Sequence, residues 1–278
     1  MKKGRFTQNT RTIRAALRFL KKKHKCYLVK ISTEDEGLTH EDVAERYKVM
    51  SSEIEVELKI GGPGARGDLK FAKQLGIKTV IVPMVESSYA MRDFINSVHE
   101  VLQNGSKKQS LKGWHIGVNI ETSGAYKNLG GILAEDADIL KQVTVGRSDL
   151  SKSMGSSVDD PRVLSAAKSI VRKARKKGYF TSIGGGIVPS NVDKVIKSGR
   201  SHAVNTRNFG FKVPKKGSLR LAIRDALLVE MMICSLEGTT AAASRKDALS
   251  ARMSDEDFTD LDPTLLKLLD KSGVVLPC

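Results

Sequence analysis

Short runs of β-branched and other apolar residues alternate along this chain with longer stretches in which apolar residues recur every three or four positions. The short runs predict buried strands, and the longer stretches predict amphipathic helices. The predicted strands cover residues 26–31, 54–60, 77–82, 116–120, the run that leads into Val145, 179–183 and 202–206. The predicted helices cover residues 10–23, a stretch that begins at Thr39, 69–75, 88–102, 125–141, 161–177, 190–198 and 219–236.

Seven predicted strands are each followed by a predicted helix, and an eighth strand fits residues 3–8. This alternation predicts an α/β fold with a parallel sheet. Eight units in about 240 residues match a (β/α)8 TIM barrel, in which polar residues at the carboxyl ends of the strands form the active site. An open doubly wound sheet is the alternative, but its dinucleotide-binding glycine pattern is missing near the start. We expect the barrel to span residues 1–237 and a polar, acidic C-terminal helical arm to span residues 238–278.

Two carboxylates end neighbouring predicted strands: Glu121 follows residues 116–120, and Asp149 follows the run through Val145. Residues 125–141 suffice for one crossover helix, which makes the two strands parallel and brings both carboxylates to one edge of the sheet. A hard divalent cation relieves their repulsion, and Mg²⁺ takes one or two carboxylates together with water and substrate. We therefore expect Mg²⁺ or Mn²⁺ at this pair. The alternative is that each carboxylate caps the helix that follows it.

A glycine-rich loop and two cations follow the second predicted strand. Lys59 ends this strand, and the loop that begins with Gly61 and Gly62 leads to Arg66. Glycine lets backbone amides approach a ligand closely, so we expect Gly61 and Gly62 to contact substrate. The loop is not a P-loop, because the Gly-Lys-Ser/Thr sequence of that motif does not follow.

Further candidates for binding an anionic substrate lie at the later strand ends. Gly185 is the centre of three consecutive glycines, and Arg207 follows the next predicted strand. These are the loops that often bind phosphate in such barrels. We expect them, together with Arg147 beside Asp149, to bind an anionic end of the substrate. Tight turns are the alternative for the glycines.

The net charge of +16 comes largely from residues 1–25 and 168–177, which carry ten and six basic residues and no acidic ones. Such faces attract nucleic acid and other polyanions. Aromatic residues make up only 5% of the chain, which is few for the stacking that single-strand binding requires. We therefore interpret both segments as solvated faces of surface helices, and we expect a small anionic substrate rather than nucleic acid.

The three cysteines, Cys26, Cys234 and Cys278, have no metal-ligand spacing and suit a reducing compartment. The sequence shows no run of 18 uninterrupted apolar residues and no apolar signal-peptide core. We therefore expect a cytoplasmic protein without a membrane partner.

Three short motifs resemble the citrate lyase β-subunit / HpcH–HpaI aldolase superfamily. They are Pro-Met-Val-Glu-Ser at residues 83–87, Ile-Glu-Thr at 120–122 and Gly-Arg-Ser-Asp-Leu-Ser at 146–151. The resemblance covers roughly residues 26–160. It implies a metal-dependent barrel lyase that cleaves or forms carbon–carbon bonds next to a 2-keto acid or an acyl thioester. It also implies that Glu121 and Asp149 are the metal ligands.

Two positions depart from the family pattern. Lys59 stands where the family usually has an arginine, and Met84 stands where the citrate-lyase-like members tend to have a lysine. We therefore favour 2-keto acid chemistry, in which Lys59 or Arg66 stabilises a developing enolate.

The proton of this reaction requires a base, and Glu34, Glu36 and Glu86 are equal candidates for it. Two functions of other classes stay open: a catalytically inactive barrel that serves as a binding or assembly subunit, and a nucleic-acid-binding protein that uses the basic helices.

The predicted helix at residues 219–236 is apolar on nearly all sides, which indicates burial on most sides. We expect a homo-oligomer whose interface includes Leu228, Met231 and Met232. The alternative is that the acidic arm folds back and covers the helix within one chain.

Overall fold

Eight strands close into a barrel, as the alternation of strands and helices predicted. The computed structural model describes residues 5–33, 38–103, 111–135 and 138–276. The strands are β1 (Cys26–Ser32), β2 (Glu55–Lys59), β3 (Thr79–Val82), β4 (His115–Ile120), β5 (Leu140–Gly146), β6 (Phe180–Gly184), β7 (Ala203–Asn205) and β8 (Phe209–Lys212). The helices are α1 (Arg5–Gln8), α2 (Thr10–His24), α3 (His40–Met50), α4 (Arg66–Leu75), α5 (Ser88–Leu102), α6 (Ser123–Lys127), α7 (Leu129–Ile132), α8 (Arg147–Ser153), α9 (Pro161–Lys176), α10 (Val192–Gly199), α11 (Arg220–Glu237), α12 (Thr240–Ser250) and α13 (Pro263–Lys271), with a 3₁₀ helix at Asp255–Phe258. Within these ranges, no helix is long and apolar enough to cross a membrane.

The barrel is closed by a strand that runs against the other seven. Strands β1 to β7 pair in parallel with their neighbours, whereas β8 is antiparallel to both β7 and β1. Only residues 206–208 join β7 to β8, and so short a connection forms a hairpin rather than a crossover. The predicted barrel is confirmed, but the eighth strand expected at residues 3–8 is wrong, since residues 5–8 form α1.

Local sequence signals account for the starts of several helices. The Thr39 hydroxyl accepts a hydrogen bond from the Asp42 amide while the Asp42 carboxylate accepts one from the Thr39 amide, which is a capping box. Asp160 caps α9, whose first residue is Pro161, and Ser87 caps α5. Ser87 lies a few residues after the end of β3. Its cap therefore also fixes the loop that joins β3 to α5 at the carboxyl end of the barrel.

The interior of the barrel is polar. Gln142 of β5 donates a hydrogen bond of 3.4 Å to Glu57 of β2. Because β2 and β5 are not neighbours in the closed sheet, their side chains can meet only in the interior, so both point inward. Gln142 also donates to Thr144 at 3.0 Å, and the hydroxyls of Thr144 and Ser182 lie 2.8 Å apart. Burial raises the pKa of Glu57. Because side chains alternate along a strand, Lys59 also points inward, at the carboxyl end of the barrel.

Helix α11 is buried within a single chain. Helix α12 packs along α11, and α13 packs against α11 and α2. Leu228, Met231 and Met232 are 0%, 2% and 0% exposed. The expected interface at these three residues is therefore wrong, because helices of the same chain already cover them. The oligomeric state and the division at residue 237 stay predictions.

Ion pairs tie α2 to the C-terminal helices. Lys23 Nζ lies 2.8 Å from Asp262 Oδ2 at the start of α13, and this contact lowers the pKa of Asp262 to about 2. His24 Nε2 lies 2.6 Å from Asp225 Oδ2 on α11, and Arg224 donates to the other oxygen of Asp225. Helix α2 is thereby tied to α11 and to the start of α13.

The loss of a buried side chain from α13 should destabilise the fold. Leu269 is fully buried, so Leu269→Ala should lower the free energy of unfolding by about 2–5 kcal/mol. Leu221 of α11 is 57% exposed, and Leu221→Ala should change it by less than about 0.5 kcal/mol. Urea unfolding followed by circular dichroism measures both variants. Equal losses in the two would contradict the docking of α13.

Candidate active site

Lys59 and Glu121 point into the barrel at the carboxyl ends of β2 and β4. Lys59 is 5% exposed and shares the inward side of its strand with Glu57. On β4 the interior side includes Gly117, because a Cβ there would lie 3.1 Å from the Cβ of the inward-pointing Gln142. Glu121 is four residues further along and therefore lies on the same side. The structure thus brings a buried cation and a buried carboxylate to one rim of the barrel.

Glu121 is held by the loop after β3 and by β4, and β5 approaches it closely. It is 2% exposed, its Oε1 accepts a hydrogen bond of 3.1 Å from the Met84 amide, and its Oε2 accepts one of 3.1 Å from Asn119 Nδ2. Gly146 lies so close that a Cβ there would be 2.6 Å from Glu121 Oε2. The sequence pattern singled out Glu121 but not Asn119, although Asn119 is two residues earlier on the same side of the strand.

The loop after β3 is bent so that its amide reaches Glu121. Met84 has a φ of 54°, in the left-handed region that residues other than glycine rarely adopt. Such a conformation costs on the order of 1–3 kcal/mol and persists where the surroundings over-determine it. In this conformation the Met84 amide donates its hydrogen bond to Glu121. Methionine carries no preference for this conformation, so the sequence contains no signal for it.

Asp149 lies in the first turn of α8, directly after β5. Its Oδ1 lies 3.1 Å from Lys152 Nζ, and its side chain is 33% exposed. The loop after β6 packs on this helix: a Cβ at Gly185, whose φ is +83°, would lie 2.4 Å from the Ser148 amide nitrogen. This contact requires glycine and supports the tight-turn alternative for Gly185. Anion binding at Gly185 stays a prediction.

Asp68 of α4, which the motifs did not mark, organises the glycine-rich loop. Its Oδ2 accepts hydrogen bonds from the Thr33 hydroxyl at 2.7 Å and the Gly61 amide at 2.9 Å, and its Oδ1 lies 2.8 Å from His40 Nε2. Burial opposes ionisation, but the bonds from His40, Thr33 and Gly61 outweigh it and lower the pKa of Asp68. The Gly61 amide is therefore already hydrogen-bonded to a side chain of the protein. Contacts of Gly61 and Gly62 with the substrate stay a prediction.

Arg66 forms hydrogen bonds with two carboxylates of α5. Its Nε donates a hydrogen bond of 2.8 Å to Glu100, and its Nη2 donates one of 3.3 Å to Asp93. These contacts raise the pKa of Arg66. The guanidinium of Arg66 is thus bound to carboxylates of α5, and a role for Arg66 beside a developing enolate stays a prediction.

Arg147 is completely buried. Its Nη1 donates to the Val158 carbonyl at 3.2 Å and to Asp159 Oδ1 at 3.1 Å, and burial lowers the pKa of Arg147. Its Nε and Nη2 find no hydrogen-bond partner in the described ranges. This side chain ties α8 to the segment after it, and a contact between Arg147 and the substrate stays a prediction.

The remaining candidates are an exposed carboxylate, an exposed arginine and two residues of the first loop. Glu86 is exposed, and its Oε1 accepts a hydrogen bond of 2.5 Å from Thr122, the N-cap of α6. Arg207 is exposed in the loop between β7 and β8. Glu34 and Glu36 lie outside the described residues.

The donors at the rim fit a hard divalent ion that needs few protein ligands. Glu121 and Asp149 follow the ends of neighbouring strands, in which Ile120 pairs with Val145. Among the residues that the structure describes, no group of three or more His, Cys, Asp or Glu side chains is placed to hold a metal. Mg²⁺ uses one or two carboxylates and keeps its other positions for water and substrate, so two ligands suffice for it. A structural zinc site would need four ligands.

Comparisons with known proteins agree with this architecture. The family model for HpcH/HpaI aldolase/citrate lyase matches residues 61–205, which are 145 of the 278 residues. An HpcH/HpaI aldolase/citrate lyase family protein from Burkholderia cenocepacia superimposes with a TM-score of 0.57 at 15% identity, over 69% of this chain and 82% of that chain.

Two further solved structures share the fold. For an HpcH/HpaI aldolase from Desulfitobacterium hafniense the TM-score is 0.53 at 16% identity, over 64% of this chain and 76% of that chain. For a citrate lyase from Burkholderia xenovorans it is 0.51 at 11% identity, over 89% and 85%. No curated protein matches the sequence significantly.

Gly146 should not tolerate a side chain. A Cβ at this position would lie 2.6 Å from Glu121 Oε2, so Gly146→Ala should displace the carboxylate and lower the free energy of unfolding by about 1–3 kcal/mol. Gly67 of α4 has open space around it, and Gly67→Ala should raise stability by about 0.4–1 kcal/mol. Thermal unfolding compares the two. Wild-type stability in Gly146→Ala would contradict the close contact.

Proposed function

Because this chain belongs to the HpcH/HpaI aldolase/citrate lyase family, we propose that it is a divalent-metal-dependent lyase that cleaves or forms a carbon–carbon bond next to a 2-keto acid. Family membership supports a lyase-type enzyme. One observation carries the finer proposal: Glu121, oriented by the Met84 amide and Asn119, shares the barrel rim with the buried Lys59. An anchored carboxylate and a nearby cation suit a reaction that builds negative charge on a bound keto acid.

Glu121 and Asp149 would hold the ion, Mg²⁺ or Mn²⁺. When bound, such an ion supplies Lewis acidity toward the carboxylate and keto oxygens of the substrate. The protein contributes orientation, because Met84 and Asn119 hold Glu121 in one rotamer and Gly146 leaves room for it. Asp149 is partly exposed and stands on the solvent side of the pair.

Lys59 supplies the positive charge that belongs to the protein itself. Its near-complete burial limits screening by water, which strengthens its interaction with a developing enolate. Lysine lacks the planar fork of the family's usual arginine, so Lys59 acts as a point charge rather than a bidentate clamp.

A carboxylate must take or return the proton of this reaction. Glu86 is exposed near the rim and bonded to Thr122, next to Glu121 in the chain, which suits proton transfer through water. Glu34 and Glu36 remain equal candidates from the sequence. The assignment among the three stays open.

The substrate that fits best is a 2-keto acid rather than an acyl thioester. Met84, which is 40% exposed, stands where citrate-lyase-like relatives tend to carry a lysine. Gly61, Gly62, Gly185 and Arg207 remain the proposed contacts for an anionic end of the substrate.

A catalytically inactive barrel that serves as a binding or assembly subunit is the second candidate. The replacement of the usual arginine by Lys59 favours it. The deciding experiment follows deuterium exchange into the methyl group of pyruvate by proton NMR, with and without Mg²⁺ or Mn²⁺. Metal-dependent exchange supports the lyase, whereas no exchange together with no metal binding in calorimetry supports the inactive barrel.

We also propose that the protein is a cytoplasmic homo-oligomer. Cys26 and Cys234 are free thiols, which supports a reducing compartment. Because Leu228, Met231 and Met232 are buried within the chain, the interface must use other surfaces. Light scattering distinguishes an oligomer from the 30.4 kDa monomer.

Loss of either proposed metal ligand should abolish divalent-ion binding. Glu121→Gln and Asp149→Asn each remove one negative charge at nearly unchanged shape, and calorimetry with Mg²⁺ and Mn²⁺ should then show no binding, while circular dichroism stays unchanged. Glu55→Gln, at the exposed opposite end of β2, is the matched control and should bind like the wild type. Wild-type affinity in both site variants would overturn the metal assignment.

Removal of the charge of Lys59 should slow enolisation of pyruvate. Lys59→Met should reduce the exchange rate roughly 100-fold, because one preorganised charge is lost, and should barely change metal affinity. Lys59→Arg keeps the charge and should retain most of the rate. An unchanged rate in Lys59→Met would exclude Lys59 from the reaction.

A further inference from the structure

An open groove lies on the outside of the barrel, between the second half of α9 and the end of α10. Its volume is about 520 Å³. Helix α9 leads into β6 and α10 leads into β7, so the groove lies at the amino end of the barrel, opposite the rim that carries Glu121 and Lys59. Five cations and, among the described residues, no carboxylate line this groove: Lys168, Arg172, Arg175, Lys176 and Arg200.

The charges of these five cations are not neutralised within the described part of the chain. All five residues are exposed, and none of them forms an ion pair with a described carboxylate. Arg175 donates a hydrogen bond to the backbone carbonyl of Arg200, which leaves both positive charges in place. Like charges around one groove repel one another and attract an anion.

The spacing along α9 favours a ligand with several charges over a single small anion. Lys168, Arg172 and Lys176 follow one another at intervals of four residues, so they lie on one face of the helix and span about 12 Å along its axis. One phosphate group cannot contact all three side chains. A strand that carries a phosphate at every residue can do so.

Aromatic rings lie at the same end of the barrel. Phe180, at the start of β6, stacks on His202 with the ring centroids 5.2 Å apart and 16° between the planes. Tyr27 of β1 packs edge-on against Phe180 at 6.3 Å, and Lys212 Nζ lies 5.6 Å from the centre of the Tyr27 ring. Phe180 and His202 are partly exposed, and His202 comes two residues after Arg200. The rings and the groove cations are therefore neighbours.

The fold brings together two features that are separate in the sequence. The basic stretch 168–177 contains no aromatic residue, and for this reason the sequence favoured a solvated helix face. The pairing of β6 with β7 places His202 beside Phe180, and the closure of the barrel adds Tyr27. A basic groove next to partly exposed rings is the combination that binds single strands.

We propose that this surface, formed by the five groove cations together with Phe180 and His202, binds single-stranded nucleic acid. The arginines and lysines contact the phosphates, and the rings stack on unpaired bases. A duplex keeps its bases paired and stacked on one another, so the rings favour a single strand. The surface contains none of the residues assigned to the lyase reaction, and the proposal therefore does not rest on that reaction.

Fluorescence anisotropy of the full-length protein with a labelled oligouridylate of about 12 nucleotides tests this surface. The wild type should bind at 50 mM salt. Three to five phosphate contacts predict an affinity roughly 20- to 100-fold lower at 200 mM, because binding releases counterions. An unlabelled duplex of the same length should compete at least tenfold less effectively than the unlabelled single strand.

Two charge-matched double variants locate the contact. Lys168→Gln with Lys176→Gln removes two groove charges, so it should weaken binding at 50 mM salt roughly tenfold or more and make the salt dependence shallower. Lys48→Gln with Lys70→Gln removes two exposed lysines of α3 and α4, outside the groove, and should bind nearly as the wild type does.

Phe180→Leu tests the rings. It keeps an apolar side chain but removes stacking, so a variant with wild-type circular dichroism should bind roughly fivefold or more weakly, with an unchanged salt dependence. The proposal is overturned if the wild type does not bind the oligouridylate, if both double variants bind equally well, or if folded Phe180→Leu binds as the wild type does. Equal competition by the duplex, or tighter binding to phosphatidylserine vesicles, also overturns it. None of these measurements requires a metal or a keto acid, so a failure of the lyase proposal leaves them intact.

Discussion

The rim of the barrel is built around one buried carboxylate that has to be satisfied. Glu121 is almost fully shielded from water, and a carboxylate in such a place requires hydrogen bonds to both oxygens. The Met84 amide, in its left-handed turn, and the inward amide of Asn119 meet this requirement, and the missing side chain at Gly146 leaves room for the carboxylate. They come from the loop after β3 and from strands β4 and β5, so a single side chain sets how these neighbouring elements are placed.

The parts of the fold that follow a local pattern could be predicted from the sequence. Short continuous runs of β-branched and other apolar residues mark the strands, and a carboxylate directly after such a run lies at the strand's carboxyl end. The sequence therefore identifies Glu121 and Asp149 as residues of one rim. Lys59, which ends β2 and points inward like Glu57, lies at the same rim. The start of a helix at Thr39 is equally local, and Thr39 is indeed the N-cap of α3.

The features that could not be predicted depend on contacts distant in sequence. Their surroundings in the sequence suggest that Arg66 stabilises an enolate and that Arg147 contacts substrate. The fold adds ion pairs that the sequence does not show, from α5 to Arg66 and from Asp159 to Arg147. Asp68 lies inside an ordinary helix, and its role emerges only because β1 brings Thr33 to it. The apolar α11 indicated burial correctly, but an apolar surface does not specify whether its own chain or a second subunit covers it.

The order in which a ribosome makes this chain differs from the order in which its parts meet. Asn208 hydrogen-bonds to the Lys30 carbonyl, 178 residues earlier, and Asp262 pairs with Lys23, 239 residues earlier. Strand β1 is thus synthesised long before β8 can cover its edge, and an uncovered edge readily pairs with other chains. The nascent protein must keep that edge apart from its neighbours for most of its synthesis.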